Sequence, residues 1–215
     1  MDVRTTVENA FQKWIGTAPE TITRLPRSGS DRIYFRLVSR GEHVIGAYNP
    51  GREENDAFVG FTNHFRSKGL SVPEIYVYYP EEKVYFLEDL GDTNLFTWLA
   101  QRSDEERFNE ETEALFLNIA SDLVRIQTEG IKGLDLALCY PHRSFDRQSI
   151  VWDLNYYKYM FLKLIAAPFN ETRLERDFEA LTLFLLEAGQ EYFLFRDFQT
   201  ANIMIRDGKP WYLDY

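Results

Sequence analysis

The sequence predicts an α+β chain of two lobes, β-rich over residues 1–90 and α-helical over residues 91–215. Three observations predict it. Short runs of β-branched and aromatic residues, broken by turn clusters, fill the segment from Thr21 to Glu88. After Leu90-Gly91-Asp92 the apolar residues take up helical spacing. Strand and helix patterns nowhere alternate regularly, so a parallel βαβ sheet is not expected. At 215 residues, 45% apolar and 16% aromatic, the chain has ample material for a core and is not a disordered tail.

A helix opens the chain: Val7, Ala10, Phe11, Trp14 and Ile15 make one apolar stripe, and Gly16 can end it. Five strands follow, over residues 21–25, 33–38, 43–48, 74–79 and 83–87, punctuated by Ser28-Gly29-Ser30-Asp31, Arg40-Gly41-Glu42, Asn49-Pro50-Gly51 and Pro80-Glu81-Glu82. One helix interrupts them, marked by Phe58, Phe61 and Phe65, with Gly69 where a C-cap belongs. The second part carries three helical stripes: Phe116, Ile119, Ala120, Leu123 and Ile126; Ile150, Leu154, Tyr157, Phe161 and Ile165; and Leu174, Phe178, Leu181 and Leu185, closed by Gly189. The mixed charges over residues 103–113 read as a solvated helix face.

Twenty-four basic against 34 acidic side chains leave a net charge of −10, which disfavours a sequence-independent grip on nucleic acid. No apolar stretch reaches the roughly 18 residues that span a bilayer, and residues 1–10 lack the apolar core of a secretory signal. The single Cys139 excludes an internal disulfide, and His43, His64 and His142 are too widely spaced for a metal knuckle. A cytoplasmic protein with no membrane association is expected; the oligomeric state is not legible.

The stretch from Tyr192 to Tyr215 carries the chemistry. An apolar run over residues 192–195, read as a strand, leads into a polar loop. A second strand over 202–205, the turn Asp207-Gly208 and a strand over 210–215 follow. Asp-Gly favours the type I′ turn of a tight hairpin, which pairs Arg206 with Lys209 and brings Asn202 opposite Leu213. Asn202 and Asp214 then share the open end, where their oxygens can reach one hard cation. Asp197 lies five residues before Asn202. A carboxylate for a hydroxyl proton, an amide and a carboxylate for Mg2+, and a glycine turn over phosphates are the parts that phosphoryl transfer requires. Ser28-Gly29-Ser30 is either that phosphate cradle or an ordinary hairpin turn.

These residues resemble the aminoglycoside phosphotransferase and choline kinase group, small-molecule kinases with a protein-kinase-like fold. Phe195-Arg196-Asp197-Phe198-Gln199-Thr200-Ala201-Asn202-Ile203-Met204 matches the group's catalytic loop, and Asp214 in Leu213-Asp214-Tyr215 matches its metal-binding aspartate. Phe86-Leu87-Glu88-Asp89-Leu90-Gly91-Asp92 is similar to the hinge whose backbone binds adenine, here through Glu88 and Leu90. Arg27-Ser28-Gly29-Ser30-Asp31-Arg32 falls on the nucleotide loop. The resemblance implies a nucleotide-binding lobe over 1–90, a catalytic lobe over 91–215, and ATP and Mg2+ as cofactors. It implies Asp197 as catalytic base, Asn202 and Asp214 as metal ligands, and Ser28, Gly29, Ser30, Arg32, Glu88 and Leu90 at the nucleotide. It implies a small-molecule acceptor, an amino sugar or amino alcohol. The closest likeness is to bacterial kinases of N-acetylmuramate or N-acetylglucosamine that act at the anomeric hydroxyl.

Three departures accompany the resemblance. Phe195 replaces the loop histidine. The strand over residues 43–48 has no lysine for the phosphates, leaving Arg32 or Arg36 to supply the charge and Glu53 or Glu54 to orient it. The sequence stops one residue after Asp214, so the α-helical lobe is expected to be cut short relative to the group. A catalytically degenerate nucleotide-binding regulatory module is the alternative, and a pure interaction domain is the third reading.

Overall fold

The computed structural model of the chain describes residues 2–26 and 31–215. Two compact units make it up, one of Met1–Leu138 with Phe195–Tyr215 and one of Cys139–Leu194.

The first unit is built on an antiparallel sheet in the order β1-β2-β3-β5-β4, with β1 (Thr21–Arg24), β2 (Ile33–Ser39), β3 (Glu42–Tyr48), β4 (Ile75–Tyr79) and β5 (Val84–Glu88). All five strands lie within one residue of the predicted bounds, because each is a short β-prone run stopped by turn residues. Side chains alternate across β3: Val44 faces one side, Ile45 and Ala47 the other.

Helix α1 (Val3–Ile15) covers the first face, burying Val7, Ala10 and Phe11 against Phe35, Leu37, Val44, Val84 and Phe86. Gly46 allows this approach, since a β-carbon there would sit 2.8 Å from Val7 Cγ1 and 2.9 Å from Leu37 Cδ1. Gly16 ends α1 in the left-handed region at φ 87°, as expected. Helix α2 (Arg52–Ser67) covers the second face, setting Phe58 and Val59 against Ile45, Ala47, Tyr85 and Leu87. Each large side chain so buried contributes roughly 1.5–3 kcal/mol. The sheet is thereby clamped from both sides.

Beyond the sheet, α3 (Leu95–Ala100) and α4 (Asp104–Arg107) open with reciprocal capping boxes, Asn94 with Thr97 and Ser103 with Glu106. Helix α5 (Glu110–Arg125) runs into a π-type turn over Ile126–Gly130. It buries Thr112, Leu115 and Ile119, while Phe116 of the predicted stripe is 43% exposed. Leu115 and Ile119 define the buried face of α5, and Phe116, rotated about 100° from Leu115, lies at its margin.

The second unit contains α6 (Arg147–Tyr157), which continues into a π-type turn over Lys158–Leu162, and α7 (Glu171–Leu185). Lys158 ties them by ion pairs to Glu171 at 2.7 Å and Glu175 at 2.6 Å. Val151 and Leu154 line a small groove with Glu175, Phe178 and Thr182. Tyr157, Phe161 and Ile165 of the predicted stripe are exposed, and α7 stops four residues short of Gly189. No helix among the described residues is long and apolar enough to cross a membrane.

Candidate active site

The hairpin of β6 (Ile203–Arg206) and β7 (Lys209–Tyr212) fixes the register of the predicted site. Its turn residues Asp207 and Gly208 have φ of 52° and 70°, both in the left-handed region that a type I′ turn requires. Arg206 pairs with Lys209 and Ile203 with Tyr212. The Leu213 N–H then donates to the Asn202 carbonyl at 3.0 Å, so Asn202 lies opposite Leu213 as counted from the sequence. Three bonds seat the hairpin: Tyr212 N–H to Ser71 O at 2.8 Å, Tyr212 Oη to Asp122 Oδ2 at 2.9 Å, and Ile205 N–H to Thr93 O at 2.8 Å.

Tyr192–Phe195 is not a strand: Tyr192 lies in a bend and residues 193–195 are irregular chain without a ladder partner. Phe193 and Phe195 are buried and Leu194 is exposed, an alternation that sequence pattern reads as a strand but that burial alone produces. Asp197 occupies the turn after it, with an exposed carboxylate. Its carbonyl accepts from Asn202 Nδ2 at 3.1 Å and from the Gln199 N–H at 2.8 Å. The first of these bonds joins the loop to the hairpin and fixes the amide plane of Asn202.

Asp214 has φ of 64°, a conformation aspartate tolerates better than most residues, and its carboxylate is half exposed. Arg32 Nη1 reaches Asp214 Oδ1 at 3.1 Å across 182 residues of sequence. The guanidinium lies 5.1 Å above the Phe58 ring, with Nη2 3.5 Å from the Glu54 carbonyl. Burial works against its charge, but the Tyr85 and Tyr34 hydroxyls and the Asp214 carboxylate outweigh burial and push the pKa upward. Glu54 thus meets Arg32 through its backbone, because its carboxylate is taken by Asn49 Nδ2 at 2.7 Å.

Directly after Asp214, Tyr215 turns inward. It stacks on Phe58 at 5.7 Å and meets Phe65 and Phe195 edge-on at 4.9 and 5.9 Å, and its hydroxyl bonds to that of Thr62. Phe195, the residue in place of the loop histidine, is thereby part of a packed aromatic group. Sequence reasoning passed over Tyr215 and Thr62. Adjacency of Tyr215 to Asp214 was the available signal.

Of the other predicted residues, Leu90 is buried, and Glu88 ends β5 with its N–H on the Glu74 carbonyl at 2.9 Å. The Glu88 carboxylate turns to Arg206 Nη1 at 2.6 Å. Arg36 does not join Arg32 but grips Asp89 and Asp92 beside Leu90. Ala47, on β3 opposite Tyr34, is wholly buried. Ser28, Gly29 and Ser30 lie outside the described residues.

No group of three or more His, Cys, Asp or Glu side chains suited to a metal occurs among the described residues. Asn202 and Asp214 offer hard oxygen donors from one hairpin end. That set fits magnesium, which takes one or two protein oxygens and completes its octahedron with phosphate and water oxygens.

The profile of the phosphotransferase enzyme family matches residues 21–213. No curated protein matches the chain in sequence. Among solved structures, a thermostable mutant of aminoglycoside phosphotransferase APH(4)-Ia in its apo form has a TM-score of 0.62 at 15% identity, over 97% of this chain and 70% of that one. A ternary complex of another such mutant with AMP-PNP and hygromycin B scores 0.60 at 15% identity, with the same coverage. A Ralstonia eutropha JMP134 protein provisionally assigned as an aminoglycoside phosphotransferase scores 0.61 at 15% identity, over 98% of this chain and 64% of that one. The likeness shows the fold, the protein-kinase-like α+β arrangement expected from sequence. This chain spans about 70% of the length of the first two structures.

Proposed function

The chain belongs to the phosphotransferase enzyme family, and from that premise we propose that it is an ATP-dependent kinase of a small-molecule hydroxyl, with an amino sugar as acceptor. Residues 1–90 serve the nucleotide and 91–215 the transfer, with Glu88 and Leu90 at the adenine and Arg32 with the 28–30 turn at the phosphates. The acceptor oxygen attacks the γ-phosphorus while the bond to the β,γ-bridging oxygen breaks. The hydroxyl proton passes to the Asp197 carboxylate, and ADP leaves. Magnesium, when bound, neutralises charge on the β- and γ-phosphates, and Asn202 and Asp214 would hold it.

The observation that supports this reading is the hydrogen bond from Asn202 Nδ2 to the Asp197 carbonyl. It ties a solvent-facing carboxylate to the hairpin end that carries Asp214, so base and metal ligands come from one short, braced segment. The likeness to a phosphotransferase solved with AMP-PNP and hygromycin B supports a nucleotide and a sugar-containing acceptor. Cys139 as the one cysteine in the sequence leaves no internal disulfide to form, which supports a cytoplasmic setting.

Phosphate transfer from ATP to a panel of amino sugars and amino alcohols tests the proposal. Asp197→Ala should lower turnover about 10²–10⁴-fold while nucleotide binding persists. Turnover unchanged in that variant removes Asp197 from the mechanism. The buried Ala47 on β3 favours a second reading, a nucleotide-binding module without catalysis, which predicts ATP binding with no consumption against any acceptor.

A further inference from the structure

The face of β2 that looks toward α2 carries two cations four residues apart, Arg32 just before the strand and Arg36 within it. At about 3.3 Å per residue they are spaced by roughly 13 Å. Arg36 is committed to Asp89 and Asp92 beside the hinge, and Arg32 to Asp214 at the hairpin end. On β3 the inward positions Ile45 and Ala47 are apolar, so that strand supplies no charge to the phosphates.

The two partners in the Arg32–Asp214 pair are unequal. The Arg32 side chain is 11% exposed and is held from below by Phe58 and from the side by the Glu54 carbonyl. The Asp214 side chain is 51% exposed and accessible from solvent. One group is fixed and the other can change company. A cation that takes the Asp214 carboxylate strips a largely buried guanidinium of the anion it faces, which is costly unless another anion arrives. Nucleotide phosphates arriving with the metal are such an anion, and a guanidinium binds phosphate in the same forked geometry as carboxylate.

We infer that Arg32 is the phosphate-binding cation of this protein and that Asp214 occupies it in the nucleotide-free state, so that metal and triphosphate exchange both partners together. This rests on the kinase reading above and adds to it a coupling between the two ligands. The coupling has an unusual signature. Asp214→Asn, which keeps the shape but removes the competing charge, should tighten metal-free ATP about tenfold while abolishing the gain in affinity that magnesium brings. Arg32→Gln should weaken ATP about tenfold with or without magnesium, Arg32→Lys should recover part of the loss, and adenosine affinity should be unchanged in all three.

The test is equilibrium titration of the full chain with ATP and with adenosine, in EDTA and in excess magnesium, read by nucleotide fluorescence and by thermal shift. Tighter metal-free ATP in Asp214→Asn together with weaker ATP in Arg32→Gln supports the exchange. Metal-free affinity unchanged or reduced in Asp214→Asn overturns it, as does unchanged ATP affinity in Arg32→Gln, and either result leaves the kinase reading standing. A wild-type chain that binds no ATP even with magnesium overturns both.

Discussion

Arg36 grips Asp89 at two points, Nε to Oδ2 at 2.6 Å and Nη2 to Oδ1 at 3.0 Å, and passes its remaining nitrogen to Asp92 at 3.0 Å. The Asp89 carboxylate also accepts from the Gly91 N–H at 2.9 Å. A forked ion pair of this kind fixes direction as well as distance. The chain on either side of Leu90 is therefore anchored to β2. Asp89→Asn should cost about 1–3 kcal/mol of stability and raise KM for ATP severalfold with kcat little changed. Denaturant melts and steady-state kinetics measure the two effects, and a double-mutant cycle with Arg36→Gln should show strong coupling.

Gly46 lies where α1 crosses β3, and any side chain there meets Val7, Leu37 and Phe86. Gly46→Ala should destabilise the fold by about 1–3 kcal/mol through overpacking. A lowered melting temperature with intact nucleotide affinity after correction for the unfolded fraction is expected. Truncation of Val7 to alanine in the same chain should recover part of the loss.

Burial pushes the phenols of Tyr85 and Tyr78 up from the ordinary tyrosine value; burial and then the Asp122 carboxylate do the same for Tyr212. In the unfolded chain each ionises near pH 10. Raised folded values mean that the unfolded state loses these protons first, so their contribution is complete below about pH 10 and declines as pH rises beyond it. Thermal melts from about pH 8 to about pH 11 should show a falling midpoint at the alkaline end. Tyrosinate absorbance from these phenols should appear with unfolding rather than ahead of it.

Tyr215 makes its hydroxyl contact with Thr62 and its ring contacts with Phe58, Phe65 and Phe195. Tyr215→Phe should keep the ring packing and reduce stability by about 1 kcal/mol. Tyr215→Ala should cost about 3–5 kcal/mol and lower kcat out of proportion to any change in KM, because Asp214 loses its footing. Chemical denaturation and turnover assays of the two variants separate the hydroxyl from the ring.

The strands and the hairpin register were legible in the sequence for a local reason. Each strand ends at residues that cannot continue it, and Asp207-Gly208 fixes the count that brings Asn202 opposite Leu213. Burial without pairing was not legible: Phe193 and Phe195 are buried on either side of an exposed Leu194 as strand residues are, yet neither belongs to a strand. The partner of Arg32 was equally hidden, since Arg32 and Asp214 are 182 residues apart and only the folded hairpin joins them. The helical stripes of α5 and α6 gave the elements but not the buried faces, because periodicity names a direction and tertiary contact decides how much of it is covered.

Asp214 and Tyr215 are neighbours on one peptide bond with opposite surroundings, a carboxylate open to water and a ring wedged beneath α2. The interior beneath α2 is thus a lever on the exposed hairpin end. Drift in the packing of Phe58, Thr62 or Phe65 shifts the aim of the neighbouring carboxylate, giving selection a way to retune its pairing with Arg32 through positions that do not themselves bond to it.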